Sequence, residues 1–165
     1  MATAKTGSFY LTETVLLTAG SAMNTRFTDT IDLGAYVNVA TGQAIAVDQV
    51  DFVFQVTNDY GSNVDSMLSG NGAITVQLTD LNPGNKFVQA SNQSLVASGA
   101  LNIDKANNIA THGSDLYPDN HGSASLSESF MVVNDQLYLT AGPDSSTAGT
   151  TVFGDTYVTA RVRCR

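Results

Sequence analysis

Charge is what this sequence has least of: 13% of its residues are Asp, Glu, Lys or Arg, roughly half the usual share in a soluble domain. Lys occurs three times and Glu twice, so strong surface helix formers are scarce and a helical protein is disfavoured. Trp is absent and Cys164 is the single cysteine. One thiol forms no intramolecular bridge, which excludes a disulfide-stapled scaffold. No run approaches the ~18 apolar residues of a membrane-spanning helix. Met1 to Ser8 also lacks the apolar core of a signal peptide, so the chain is expected to be made and used in soluble form. Seven basic residues stand against 15 acidic ones, a net charge of −8. The basic residues are scattered except for Arg161, Arg163 and Arg165, which disfavours the dense basic patch that displaces counterions from nucleic acid.

What is present is Thr, Ser, Asn and Gly, which suit strands and tight turns. At 165 residues the length fits one domain, 1–165, burying roughly 70% of its unfolded surface. Alternating apolar and polar positions, punctuated by turn residues, predict an all-β fold: an eight-stranded antiparallel two-sheet sandwich. The strands read as Phe9–Leu17, Phe27–Val39 (broken at Gly34), Ala44–Thr57, Ala73–Thr79, Phe87–Ala90, Leu95–Ile103, Met131–Leu139 and Thr151–Cys164. Asn134-Asp135-Gln136 makes the seventh a hairpin or one bulged strand. Val50, Phe52, Phe54 and Val56 line one face, as do Ile74, Val76 and Leu78. In the last strand Val158, Ala160, Val162 and Cys164 face inward, with Tyr157, Thr159, Arg161 and Arg163 outward.

Three stretches read as loops. In Asn58–Gly72, Asn63 is placed to cap one helical turn at Val64–Leu68. Asp104–Ser129 is long and polar, and Gly142–Thr150 is rich in small residues. The long loop holds the only cluster of ligand-type side chains, His112, Asp115, Asp119 and His121. Two imidazoles and two carboxylates bind a divalent metal if a loop folds them together. Their spacing matches no established site, and neither His-Glu-x-x-His nor His-x-His occurs. A turn-rich loop has the same composition, so no metal, cofactor or catalytic residue is assigned. Ser114 beside His112 and Asp115 lacks the elbow and oxyanion hole of a triad. Asn58, Asp59, Asn63 and Asp65 do not fit a calcium loop, which needs its closing Glu. Ser69-Gly70-Asn71-Gly72 has no Lys-Ser/Thr partner for a phosphate cradle, and Asn92-Gln93-Ser94 reads as a sequon without a secretory context. Arg161, Arg163 and Arg165 on one terminal strand could touch a few phosphates, but pairing with neighbouring carboxylates is the favoured reading. The six tyrosines are spread along the chain, as packing residues more readily than as a sugar platform.

The order and length of these strands, closing on Tyr157-Val158-Thr159-Ala160-Arg161-Val162-Arg163, resemble the single jelly-roll capsid proteins of tailless icosahedral viruses. Lys5 is the only basic residue before Arg26, so the sequence departs from subunits with a genome-binding basic arm. It is closer to small vertical jelly-roll subunits separated from the genome by another layer. The resemblance implies a non-enzymatic shell protein made in the host cytoplasm and located in the virion. Its partners would be copies of itself and other capsid proteins. Few charges and sandwich edges that need covering fit that reading. The loops Asp104–Ser129 and Gly142–Thr150 are expected to face outward or touch neighbours. The alternative is a non-catalytic binding module: a virion spike, an adhesin or a carbohydrate-binding sandwich.

Overall fold

The computed structural model describes residues 7–56, 67–116, 126 and 129–165, and among them are nine strands. They are β1 (Phe9–Leu17), β2 (Phe27–Asp32), β3 (Ile45–Val56), β4 (Gly72–Thr79), β5 (Leu95–Asp104), β6 (Ile109–Leu116), β7 (Phe130–Val132), β8 (Gln136–Asp144) and β9 (Thr156–Cys164). A single 3-10 turn, Val39–Thr41, ends at Gly42 with φ 75°, a left-handed conformation that glycine adopts without steric cost. One sheet has the order β1-β9-β3-β7 and the other β2-β8-β4-β5-β6, with every pairing antiparallel.

The pairings are nested. Phe9 lies opposite Cys164, Phe27 opposite Ala141, Ile45 opposite Val132 and Leu78 opposite Ala97. A long antiparallel hairpin wound so that β9 meets β3 and β8 meets β4 is a jelly roll. The fold is therefore the all-β two-sheet sandwich expected, with β6 added to the edge of one sheet. Inward side chains of both sheets close on one apolar core. Val15, Leu17, Ile74, Val76, Leu78, Leu137, Leu139, Val158, Ala160 and Val162 have no exposure at all.

Four expectations need correction. Residues 109–116, read as loop, form β6; a turn at 105–108 joins it to β5, with Asn108 at φ 54°. Its sequence carries no apolar alternation because Ile109, Thr111, His112 and Gly113 are exposed, so period two leaves no trace. Residues 87–90 are not a strand. They cross the outer face of the five-stranded sheet, where the outward Gln77 amide takes both main-chain groups of Val88: Val88 N–H donates to Oε1 (2.8 Å) and Nε2 donates to the Val88 carbonyl (2.9 Å). Met131–Leu139 is neither a hairpin nor one bulged strand, since β7 and β8 belong to different sheets. Finally, β2 stops at Asp32, whose Oδ1 accepts from Gly34 N–H at 2.8 Å and turns the chain. The proposed helical turn at Val64–Leu68 lies outside the described residues except for Met67 and Leu68. Both are buried, and Leu68 bridges Val152.

The ends of the sandwich differ in how they are tied. At one, Gly20 N–H donates to Val152 O, Ser69 N–H to Thr151 O, Lys105 N–H to Asn71 Oδ1 and Ser145 Oγ to Asn71 O. Arg26 adds an ion pair to Asp144 at 2.5 Å and lies 4.2 Å above the Phe87 ring. At the other, Leu33 N–H donates to Asp135 O and Asn134 Nδ2 to Asp80 O, joining loops 33–44, 80–94 and 133–135.

Candidate interaction surfaces

Of the metal candidates, His112 and Asp115 fall on β6, while Asp119 and His121 lie outside the described residues. His112 is exposed and sets its ring edge-on to Phe54, with centroids 5.4 Å apart and planes at 69°. Among the described residues no three His, Cys, Asp or Glu side chains converge as ligands. Asn58, Asp59, Asn63 and Asp65 also lie outside them. Asn71 is occupied in tying loops, as above. Asn92 Oδ1 accepts from Ser94 N–H and Oγ at 3.0 and 2.9 Å, so the sequon builds an Asx turn.

The three C-terminal arginines take three different partners. Arg165 Nε pairs with Asp48 Oδ2 at 3.0 Å, and Asp48 also accepts from Ser129 Oγ at 2.5 Å. Asp48 is buried at a register shift in β3 between Val47 and Gln49; the bulge turns this carboxylate from the surface toward the end of β9. Cys164, fully buried nearby, has its thiol pushed up to about 12, first by burial and then by the Asp48 charge. Arg163 donates to Ser8 Oγ at 3.4 Å. Arg161 lies over the Tyr10 ring, 4.4 Å from its centroid.

Arg161 and Arg163 therefore stand on the outer face of the four-stranded sheet, as strand alternation requires. The register makes rows across that face: Tyr10, Arg163 and Gln49; Thr12, Arg161 and Asp51; Thr14, Thr159 and Val53; Leu16, Tyr157 and Gln55. The Thr14 and Thr159 hydroxyls hydrogen-bond at 2.8 Å. Tyrosine, arginine and few other charges is the composition of energetic interface centres.

A second surface lies at the loop end defined by the Asp135, Asn134 and Asp80 hydrogen bonds. Tyr36, Val39, Leu81 and Val133 are 54%, 40%, 58% and 59% exposed there. Tyr36 stacks on Phe9, with centroids 5.0 Å apart. Asp29, Asp32 and Asp135 are exposed on the adjoining β2 edge and turn. The sequence predicts contacts at Asp104–Ser129 and Gly142–Thr150 instead. The four apolar side chains come from three loops that only the winding of the chain brings together, so no local pattern marks them. The opposite end exposes Phe153 and Ile109.

The strand order and core define a jelly-roll β-sandwich protein. No family model matches the sequence, and no curated protein matches it. Among solved structures it is similar to one of turnip yellow mosaic virus, at 7% identity over 99% of this chain and 83% of that one, with a TM-score of 0.39. It is also similar to a single-particle structure of maize chlorotic mottle virus, at 14% identity over 96% and 93% of the two chains and a TM-score of 0.31. A structure of desmodium yellow mottle tymovirus gives 9% identity over 99% and 84%, with a TM-score of 0.28. The jelly-roll assignment rests on this chain's own strand order.

Proposed function

We propose that the chain is a structural shell subunit, a virus capsid protein that associates with copies of itself into a closed particle. The observation that carries this reading is the exposed apolar set Tyr36, Val39, Leu81 and Val133 at one end of a jelly roll. Apolar side chains left in water at one end of the sandwich favour association, since burying them gains roughly 25 cal/mol per Å². The low charge leaves the sandwich edges without the lysines that blunt edge pairing. In this reading the protein is structural rather than enzymatic, resides in the virion and is synthesised in the host cytoplasm. No helix of the described residues is long and apolar enough to cross a membrane.

The binding-module alternative draws less support. One face of the Tyr10 ring is taken by Arg161 and one face of Tyr36 by Phe9, which narrows any tyrosine platform for a sugar. The test is the mass in solution by size-exclusion chromatography with light scattering over a concentration series. Discrete oligomers or closed particles are expected. A strict monomer throughout would overturn the shell reading and favour the binding module.

A further inference from the structure

We propose that the outer face of the four-stranded sheet, centred on Arg161, docks the acidic apolar loop end of a second copy of this chain. The inference rests on the shell reading and specifies which surfaces meet. The sequence has no Lys or Arg between Arg26 and Lys86, nor between Lys105 and Arg161. The acidic groups are spread through those stretches, while two of the few cations sit together on one sheet face. Arg26 is engaged by Asp144 and Arg165 by Asp48. Arg161 and Arg163 face only one carboxylate across their rows, Asp51, which also lies within 3.4 Å of Gln49 Nε2. Along these rows the two guanidinium groups outnumber the carboxylates, on a protein of net charge −8.

The complement is on the same molecule. The loop end combines exposed Tyr36, Val39, Leu81 and Val133 with exposed Asp29, Asp32 and Asp135. Apolar side chains beside carboxylates match tyrosines beside guanidinium groups in both character and sign. Arg161 is already laid over Tyr10, so little side-chain entropy remains to be lost on contact, and its planar fork meets a carboxylate in two-point geometry. Because the two surfaces differ, the contact is head-to-side and repeats around a ring or shell; it does not stop at a two-fold dimer. A nucleic-acid partner fits less well. Two arginines neutralise few phosphates, and the remaining acidic surface repels the rest.

Charge reversal tests the pairing. Arg161→Glu with Arg163→Glu is expected to raise the concentration needed for assembly by roughly tenfold or more, with the thermal unfolding midpoint checked to confirm folding. Asp29→Arg with Asp32→Arg should do the same. Mixing the two variants at a concentration where neither assembles alone should restore mixed oligomers, since each supplies the charge the other lost. Wild-type oligomers with an Arg161→Glu, Arg163→Glu variant of unchanged mass would overturn this contact while leaving the shell reading intact. A wild-type monomer at every concentration would overturn the shell reading itself. Weakened assembly without recovery on mixing would overturn the assignment of the acidic end. Single-stranded DNA captured by the wild type and lost on Arg161→Glu would give the face to nucleic acid and overturn the second-copy assignment.

Discussion

At the residue scale, Cys164 connects burial to a measurable pH dependence. Its thiol is fully buried at the end of β9 and is pushed up to about 12 from an ordinary value of 9.0. Above about pH 9 the unfolded chain loses this proton while the folded chain keeps it. The folded state then binds more protons, so stability falls as pH rises from about 9 towards 12. The slope is about 1.4 kcal/mol per pH unit at most. Cys164→Ala removes this contribution, at the expense of some packing. Urea unfolding of both proteins between about pH 8 and about pH 10.5 should show the wild type losing its advantage, by roughly 2 kcal/mol at the upper end. Parallel decline of the two would show that the thiol does not titrate differently on folding. A thiol reagent should likewise label Cys164 only after denaturant is added. None of this was legible in the sequence beyond the inward position of Cys164 in an alternating strand. The Asp48 that adds to the shift reaches it through a bulge, where the inward phase of β3 changes from Ile45 and Val47 to Val50, Phe52 and Phe54; the phase change marks the bulge but not the partner its carboxylate meets.

At the scale of elements, Gln77 shows what the sequence hides. Ile74, Val76 and Leu78 announce a half-buried strand, and Gln77 sits on its polar side as alternation predicts. Yet Gln77 and Thr79 are 8% and 0% exposed, because residues 81–94 cover that face. Phe87–Ala90 looks like a strand because Phe87 and Val88 are apolar, but these two lie half-buried on that face without strand pairing. Gln77→Leu would strand the Val88 N–H and carbonyl that the amide satisfies. A loss of about 2–3 kcal/mol is expected. Protease cleavage and amide exchange should increase within 81–94 while β4 stays protected. Cleavage confined elsewhere, or no loss of stability, would show that water replaces the amide without penalty. The other strands were legible where one face meets the core and the other meets water, as in β1, β3 and β9. The interaction surfaces divide the same way. The outward Arg161 and Arg163 follow from alternation, whereas the meeting of Tyr36, Leu81 and Val133 follows only from the winding of the jelly roll.

At the scale of the whole molecule, the nested pairing sets an order of assembly for the chain itself. Each pair encloses the next: Phe9 opposite Cys164 contains Phe27 opposite Ala141, which contains Leu78 opposite Ala97. Closing an outer pair directly costs more loop entropy than closing an inner one. Once β4 and β5 have met, the outer closures span shorter effective loops. Refolding dominated by such long-range pairs is expected on the millisecond-to-second scale. Leu78 and Leu17 are both fully buried, so Leu78→Ala and Leu17→Ala should each cost about 2–5 kcal/mol. The two should divide that loss differently between folding and unfolding rates. Leu78→Ala, in the inner hairpin, is expected to slow folding with φ of roughly 0.5–0.8, whereas Leu17→Ala, in the outer pair, mainly speeds unfolding with φ of roughly 0–0.3. Stopped-flow chevrons of the two variants decide it. A φ at Leu17 equal to or above that at Leu78 would mean that the ends of the chain meet in the transition state, with the sandwich closing from its outermost pair inward.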